Sequence, residues 1–296
     1  MPTDNLRRGA LYIVISSVLF ALMGAMIKRV AAELPNEMIV FFRSAIGLLA
    51  LTPLVIQRGG LPAVRTKRFG GHLWRSLLGM GSMYCYFYAI AHMPLGEAVL
   101  LNYSAPLFIP FVAWLMLREH ASRRLIGAIA LGFFGVALIL KPGWSLFTPI
   151  SLVGLASGVL TAAAMVGVRG LARSEPSWRI VFYFSSICTV FSAVPLLWAW
   201  RAPPAHLWLF LLGIGACATV AQLFMTRGYS LAPAGQVGPF TYVTIIFAAL
   251  FGWGFWSEIP DWASALGAVI VCVAGALTLR YESSRVTPIG TPPPPA

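Results

Sequence analysis

The chain has 296 residues, of which 59% are hydrophobic and 10% are charged, and its formal net charge is +12. Since an average soluble domain carries about 25% charged residues, this composition excludes an ordinary soluble fold. The positive charge does not indicate nucleic-acid binding either, because the cations lie in short loops between apolar runs. We therefore expect a lipid bilayer around the protein and no nucleic-acid partner.

Apolar runs of roughly twenty residues, the length that crosses a hydrocarbon layer of ~30 Å, recur along the chain. In chain order they predict ten transmembrane helices with prolines in the connections, where a missing N–H does least harm. The predicted spans are residues 10–31, 37–57, 72–92, 96–117, 123–140, 149–169, 178–200, 206–228, 235–256 and 262–280. A short segment, 1–9, precedes them, and a Pro-rich tail, 283–296, is expected to be disordered.

The basic residues predict the orientation of these spans. With the N-terminus inside, sixteen Lys and Arg residues fall on the cytoplasmic side, four fall outside, and Arg43 lies within the membrane. Because cytoplasmic loops carry the excess of Lys and Arg, both termini are predicted to be cytoplasmic, in a bacterial inner membrane. The outer cations are Lys28, Arg29, Lys141 and Arg201, and Arg75 is counted with the inner ones.

An internal repeat relates the two halves of the chain. The segment 97–119 aligns with 236–258 at an offset of 139 residues, which pairs Tyr103 with Tyr242 and Glu119 with Glu258. Five helices per half is an odd number, so the halves, 10–142 and 149–282, must cross the membrane in opposite senses. The prediction is an all-α membrane protein of two inverted five-helix repeats (5+5), an architecture that permits alternating access.

One short repeat conflicts with this alignment. The tripeptide HLW occurs at His72 and again at His206, at a different offset from that of the longer segments. The longer alignment covers more residues, so the register of spans 3 and 8 stays ambiguous at this stage.

From about residue 8 to 282 the sequence resembles the EamA-type branch of the drug/metabolite transporter superfamily. The features that carry the resemblance are the 5+5 layout, Arg43 in FFRSAIGLL, the turns from Ala89 to Pro94 and from Gly228 to Pro233, and the closing Glu119 and Glu258. The second half departs from the pattern, since Phe184 stands where Arg43 would repeat. The resemblance implies a central cavity lined by spans 1, 3, 4, 6, 8 and 9. It also implies relatives that carry amino acids, riboflavin, S-adenosylmethionine or opine-type metallophores.

Polar side chains inside spans usually face the bundle interior or a cavity, so they are the candidates for binding a substrate. A planar guanidinium suits a substrate carboxylate, and tyrosine rings suit planar or cationic groups. Each candidate also has a structural alternative: an ion pair of Arg43 with Glu37 or Glu97, helix capping, interhelical hydrogen bonds, or the interfacial aromatic belt. The candidates are Arg43, Tyr84, Tyr88, Glu97, Asn102, Tyr103, Gln222, Gln236 and Tyr242.

These observations predict a secondary transporter that exports a small polar metabolite, either amino-acid-like or an opine-type metallophore, without a cofactor. The alternatives are an importer of riboflavin or S-adenosylmethionine and an integral-membrane enzyme. The sequence disfavours the enzyme, because the four histidines fall near the membrane surfaces and neither an H-E-x-x-H nor a Walker motif occurs. The cysteines lie in apolar runs without C-x-x-C pairs, which predicts no disulfide and no metal site. The direction, the coupling ion and the choice between monomer and homodimer stay open.

Overall fold

The computed structural model describes residues 3–117, 123–140, 149–172, 174–231 and 238–283. Regular structure in these ranges is helical. Three 3-10 helices, Leu61–Val64, Ala205–Leu207 and Gly238–Tyr242, accompany twelve α-helices. These are α1 (Thr3–Ala31), α2 (Asn36–Gln57), α3 (Phe69–His92), α4 (Leu95–Asn102), α5 (Ala105–Leu117), α6 (Arg123–Leu140), α7 (Pro149–Ala172), α8 (Ser177–Ala193), α9 (Leu196–Ala199), α10 (Trp208–Leu231), α11 (Val243–Trp256) and α12 (Trp262–Ser283).

The described residues of the predicted spans are mainly helical, but four spans are not continuous α-helices as the sequence predicted. Span 4 is divided into α4 and α5 and span 7 into α8 and α9, while spans 8 and 9 enter α10 and α11 through 3-10 helices. Pro195 stands at the second of these breaks, where its missing N–H interrupts the ladder. Residues 284–296 of the predicted tail and Gln236 lie outside the described residues, while Ser283 is the last residue of α12.

Within the described ranges, four helical segments are long and apolar enough to cross a membrane by length and composition: Leu6–Ala31, Asn36–Gln57, Pro149–Val168 and Ala205–Met225. Five shorter apolar helices accompany them: Leu95–Ile109, Ile126–Leu138, Trp178–Ala193, Phe240–Trp256 and Trp262–Thr278. Helix α3 has sufficient length at 24 residues, but His72 and Arg75 make it less apolar. Large apolar side chains such as Leu197, Leu209 and Phe255 are exposed on the outside of the bundle, as lipid contact requires.

Helices of the first half pack mainly on helices of the second half. Helix α1 packs along α10 and α11, and α7 packs in the same way along α3 and against α4 and α5. Helix α2 contacts α8 and α10, while α8 contacts α2 and α3, and α6 packs along α12. If the helices of the two halves are exchanged in order, the α1–α10 pair becomes α7–α3 and the α2–α10 pair becomes α8–α3, both of which are observed. The α2–α8 and α6–α12 pairs map onto themselves. Two similar halves related by a pseudo-twofold axis would produce this pattern.

The main apolar core fills the space between the two halves. Its fully buried side chains include Ile27 of α1, Met38 of α2, Ile90 of α3, Leu101 of α4 and Leu211 of α10. Because these helices are apolar on their facing sides, the few polar side chains between them stand out as candidates for function.

Candidate functional site

The break in span 4 lies between two apolar helices. Helical geometry stops after Asn102 and resumes in α5, which leaves Tyr103 and Ser104 as a turn. Pro106 accounts for the break, because its ring clashes with the carbonyl four residues earlier, that of Asn102, and it has no N–H to donate. The Ser104 hydroxyl donates to the Leu101 carbonyl at 2.6 Å, which satisfies part of the opened backbone. Irregular backbone at membrane depth occurs where it is buried in protein or lines a cavity, so the break marks a candidate site.

The second half has a corresponding junction. The 3-10 helix Gly238–Tyr242 meets α11 at Val243, so Tyr242 is the N-cap of α11 as Tyr103 is the C-cap of α4. Ser17 of α1 reaches this junction and donates to the Phe240 carbonyl at 3.4 Å. The two tyrosines that the internal repeat aligned therefore both lie at an end of an α-helix.

A polar network surrounds Asn102 at the first break. Its Nδ2 atom donates to Ser157 Oγ at 3.0 Å and to Thr161 Oγ1 at 3.2 Å, both on α7. Ser82 of α3 donates to the Ser157 carbonyl at 2.9 Å and shares a 2.6 Å hydrogen bond with Thr161 Oγ1. The four side chains join α3, α4 and α7. Sequence analysis singled out Asn102 alone, since the small hydroxyl residues carried no signal by themselves.

Tyr103 and Tyr242 have different neighbours. Tyr103 interacts with Thr244 of α11 and lies near Tyr86 of α3. The Tyr242 hydroxyl lies against Gly275 of α12, in space that a Cβ at that glycine would need. Of the other candidates on these elements, Gln222 lies half-buried on α10 and Gln236 lies outside the described residues.

The three tyrosines of α3 differ in how deeply they are buried. The Tyr84 hydroxyl is buried and has no hydrogen-bond partner among the described residues, and its carbonyl accepts from Asn36 Nδ2 at 2.9 Å. Tyr88, one turn further along the same face, is 39% exposed and stacks on His92 with the ring centroids 4.1 Å apart. Tyr88 thus lies apart from the other candidates, in a position suited to the interfacial belt. Tyr86, which sequence analysis left out, is only 8% exposed and belongs to the interior.

Two arginines share one aromatic ring in the interior. Arg43 of α2 is 8% exposed, and its guanidinium carbon lies 5.4 Å from the centroid of the Phe184 ring on α8. Arg43 therefore meets the residue that takes its place in the second half. Arg75 of α3 lies 3.8 Å from the same centroid. Its Nε and Nη1 atoms are buried, so Arg75 does not belong with the cytoplasmic loop cations where sequence analysis counted it.

Glu97 begins α4, where the helix dipole favours a negative charge. It accepts a hydrogen bond from Ser264 Oγ of α12 at 2.8 Å, and neither Glu97 nor Glu37 forms an ion pair with Arg43 within the described part of the chain. Glu97, Leu100 and Glu258 line a pocket of about 70 Å³ between α4, α11 and α12. Since metabolite pockets measure about 300–1,000 Å³, this one has room only for water.

An ion pair closes the same end of the bundle. Lys28, in the last turn of α1, pairs with Glu258 beyond α11, and the two side chains are 11% and 18% exposed. The Lys28 Nζ also donates to the Met93 carbonyl at 2.8 Å and lies 5.7 Å from the Trp256 ring centroid. Glu258 in turn accepts the Leu95 N–H at 2.7 Å. The pair therefore joins α1, the α3–α4 turn and the end of α11.

A second polar cluster lies at the opposite end of α2. Glu175, between α7 and α8, accepts hydrogen bonds from Thr66 Oγ1 at 2.5 Å and from Arg179 Nη1 at 2.6 Å. Arg179 also donates to the Ala63 carbonyl at 2.7 Å. Burial acts to raise the pKa of Glu175, but these hydrogen bonds outweigh it and hold the pKa below its ordinary value.

The two HLW histidines lie in corresponding places. His206 Nε2 is 3.2 Å from Glu33 in the α1–α2 connection, and His72 Nε2 is 4.0 Å from Glu175 in the α7–α8 connection. Hydrogen bonds from Arg29 and His206 also hold the pKa of Glu33 below its ordinary value. Each histidine begins the third helix of its half and meets the first connection of the other half. Each of the two HLW histidines thus lies near a glutamate of the other half of the chain.

The sequence profile of the EamA-like transporter family matches the chain twice, at residues 7–141 and 148–280. The chain belongs to this family, which confirms the resemblance read from its motifs. Together with its apolar helices, this membership makes the protein a multi-pass bacterial membrane protein and points to a transporter rather than an enzyme.

Relatives of known activity extend over most of the chain. The pseudopaline exporter CntI of Pseudomonas aeruginosa is 38% identical over 277 residues, 93% of this chain and 96% of CntI. A riboflavin transporter of Brucella anthropi is 30% identical over 258 residues, 84% of this chain and 90% of its own. An S-adenosylmethionine uptake transporter of Rickettsia prowazekii is 24% identical over 280 residues, 94% and 95% of the two chains. A protein of known crystal structure has a TM-score of 0.65 over 97% of this chain and 100% of its own, and its 22% identity shows the fold alone.

Proposed function

We propose that this protein is a secondary transporter of a bacterial inner membrane that exports a small polar metabolite by alternating access. In this proposal ten spans form two inverted five-helix repeats, 10–142 and 149–282, with both termini in the cytoplasm. The main support for the proposal is that corresponding helices of the two halves make corresponding contacts. Helix α1 packs on α10 and α11 as α7 packs on α3 and α4, and the His206–Glu33 contact corresponds to His72–Glu175. Two such halves can exchange conformations and open a central site to either side in turn.

The proposed substrate site lies at the interruptions of spans 4 and 9. Discontinuous helices at the interface of inverted repeats typically hold the substrate, because their backbone groups are available there. Asn102, Tyr103 and Tyr242 stand at the two interruptions, and Arg43 faces the same interior from α2. Among the other candidates, Tyr84 has a buried hydroxyl available for a ligand.

An opine-type metallophore or a related amino-acid-like compound is the proposed substrate class. The identity to the pseudopaline exporter, 38% over 93% of the chain, supports this class and the outward direction. The second candidate is uptake of riboflavin, which the 30% identity to a riboflavin transporter supports.

Transport by inside-out and right-side-out proteoliposomes would test the proposal. We expect saturable uptake of labelled pseudopaline into inside-out vesicles, and little movement of riboflavin or S-adenosylmethionine. Tyr103→Phe is expected to reduce transport, whereas Tyr12→Phe, a matched change at a tyrosine that packs on Phe224 with centroids 5.5 Å apart, is not. Preferential transport of riboflavin would favour the second candidate, and failure of every compound would contradict the proposed substrate classes.

Impermeant labels attached to cysteines at the two termini would test the topology separately. Both termini are expected to be protected in right-side-out vesicles, because an even number of spans returns the chain to its starting face. Labelling of one terminus alone would contradict the ten-span arrangement.

A further inference from the structure

We infer that Arg43, Arg75 and Phe184 form an anion site that binds a carboxylate of the transported solute. The inference rests on the proposed transport function and names the chemistry of one end of its substrate. It uses two residues, Arg75 and Phe184, that the broken spans and their polar network do not include.

The geometry brings two cations to a single ring. The Arg75 guanidinium carbon lies 3.8 Å from the Phe184 centroid and that of Arg43 lies 5.4 Å away, so both guanidinium groups are held in the α2–α3–α8 interface. Two glycines allow this approach. A Cβ at Gly79 would lie 2.9 Å from the Phe184 ring, and one at Gly167 would lie 3.3 Å from the Arg75 Cβ.

Two guanidinium donors of this cluster have no acceptor among the described residues. The Nε and Nη1 atoms of Arg75 are buried and lack hydrogen-bond partners, and within the described ranges neither arginine forms an ion pair. The Ser44 and Ser76 hydroxyls, next to the arginines in the chain, are also buried and have no partner in the described part of the chain. Buried polar groups are normally hydrogen-bonded, and intramembrane cations normally pair, so the cluster has the donors of a ligand site without its acceptor.

The electrostatics indicate a negative ligand. Two like charges in a low-dielectric interior repel each other, and the face of one phenyl ring compensates only part of their desolvation. An anion between them would reverse the repulsion and accept from the free Nε and Nη1 donors. The planar fork of a guanidinium matches a carboxylate, which is the anionic group of amino-acid-like solutes.

Binding of a small dicarboxylate would test this site without requiring transport. Glutarate and its neutral diamide, glutaramide, are titrated against the purified protein in lipid nanodiscs while thermal unfolding is followed by tryptophan fluorescence. We expect glutarate to raise the melting temperature and glutaramide not to, because a ligand that binds the folded state stabilises it. Sodium chloride at equal ionic strength is the third arm, and stabilisation equal to that by glutarate would overturn the inference in favour of an inorganic anion.

Substitutions then locate the site. Arg43→Gln and Arg75→Gln are expected to weaken glutarate binding at least about tenfold, since each removes one guanidinium from the pair. Arg68→Gln, which removes a surface arginine bonded to the Gly170 carbonyl at 2.8 Å, should leave binding unchanged. If Arg75→Gln does not fold, Arg75→Lys keeps the charge and removes the fork, and undiminished affinity in that variant would overturn the inference.

The outcomes separate the two proposals. Glutarate-specific stabilisation that is lost in the arginine variants supports the anion site even if no labelled metabolite is transported. Transport of the proposed substrate that persists in Arg75→Gln at wild-type KM, or the absence of any glutarate effect on the wild-type protein, overturns the site while leaving the transport function intact.

Discussion

Removing the charge of Glu258 is expected to open the end of the protein that is proposed to face outward. Glu258→Gln preserves the size of the side chain and an oxygen that can accept the Leu95 N–H, so it acts mainly on the ion pair with Lys28. The two side chains are 11% and 18% exposed, so this ion pair is neither fully exposed nor fully buried. Exposed pairs contribute about 0–1 kcal/mol, and breaking a fully buried pair costs about 3–5 kcal/mol. We take an intermediate cost of about 2 kcal/mol. At about 1.4 kcal/mol per factor of ten, this raises the population of a form in which the Lys28–Glu258 contact is separated by roughly 30-fold.

A cysteine beneath the ion pair reports this shift. Gly24 lies one turn inward from Lys28 on α1, and a Cβ there would be in ordinary contact with Leu95 at 3.4 Å and Ile90 at 3.9 Å. Gly24→Cys is placed in a background without the four native cysteines, and its modification by an impermeant maleimide is timed from the outer face. The expected rate in the Glu258→Gln variant is up to about 30 times that of the parent.

Glu33→Gln provides the matched control. Glu33 is a carboxylate at the same end of the protein that pairs with Arg29 at 2.7 Å and contacts His206 at 3.2 Å, but its side chain is 33% exposed, so water screens both contacts. Its removal should change the labelling rate by about twofold or less. An unchanged labelling rate in Glu258→Gln, or an equal increase in Glu33→Gln, would refute the idea that the Lys28–Glu258 pair keeps this end of the protein closed.

Three further substitutions test the packing and the polar clusters. Gly158→Ala would place a Cβ 2.6 Å from the Leu101 carbonyl oxygen, so we expect a loss of about 1–3 kcal/mol in a melting assay, while Gly254→Ala, which meets nothing within 4 Å, should be neutral. Asn102→Ala removes two hydrogen bonds to α7 and is expected to cost about 1–2 kcal/mol; a stability equal to wild type would show that the network is not formed. The lowered pKa of Glu175 makes its stabilising contribution complete above the ordinary carboxyl value of 4.5 and lost as the pH falls through the lower folded value. The difference in melting temperature between wild type and Glu175→Gln should therefore be largest near neutral pH and disappear in strong acid, and a difference independent of pH would contradict this assignment.

The bilayer made the helices easy to predict. A hydrocarbon layer fixes both the length and the composition of a segment that crosses it, so the apolar pattern alone located the ends of most helices. The predicted span 37–57 is α2, Asn36–Gln57, and the predicted start at residue 262 is the first residue of α12. The family followed from the same layout and a few motifs.

The interruptions could not be predicted in the same way, because a proline does not by itself break a helix. Pro53 lies inside α2, and that helix continues to Gln57. Pro106 is accompanied by a turn at Tyr103 and Ser104, where neighbouring groups satisfy the opened backbone. Whether a freed carbonyl finds a partner depends on the helices packed around it, and that information is tertiary.

Partners that lie far apart in the chain were also beyond the sequence. Lys28 and Glu258 are separated by 230 positions, and no local pattern joins them. Arg75 lies near the start of α3, where a basic residue is normally a loop cation, and only the packing of α3 against α8 turns it inward. The internal repeat predicted which positions correspond, but not which positions touch.

Under the proposed inverted repeat, the contact between Arg43 and Phe184 joins two positions that correspond but carry different residues. On a pseudo-twofold axis a residue meets its own counterpart, so a strict repeat would have placed two guanidinium groups against each other in the interior. Phe184 replaces that repulsion by a ring face, to which Arg75 then adds a second cation from α3. If the proposed repeat and anion site hold, two arginines on one side of the interface would give the interior a direction, because a solute with one anionic end would bind there in only one orientation.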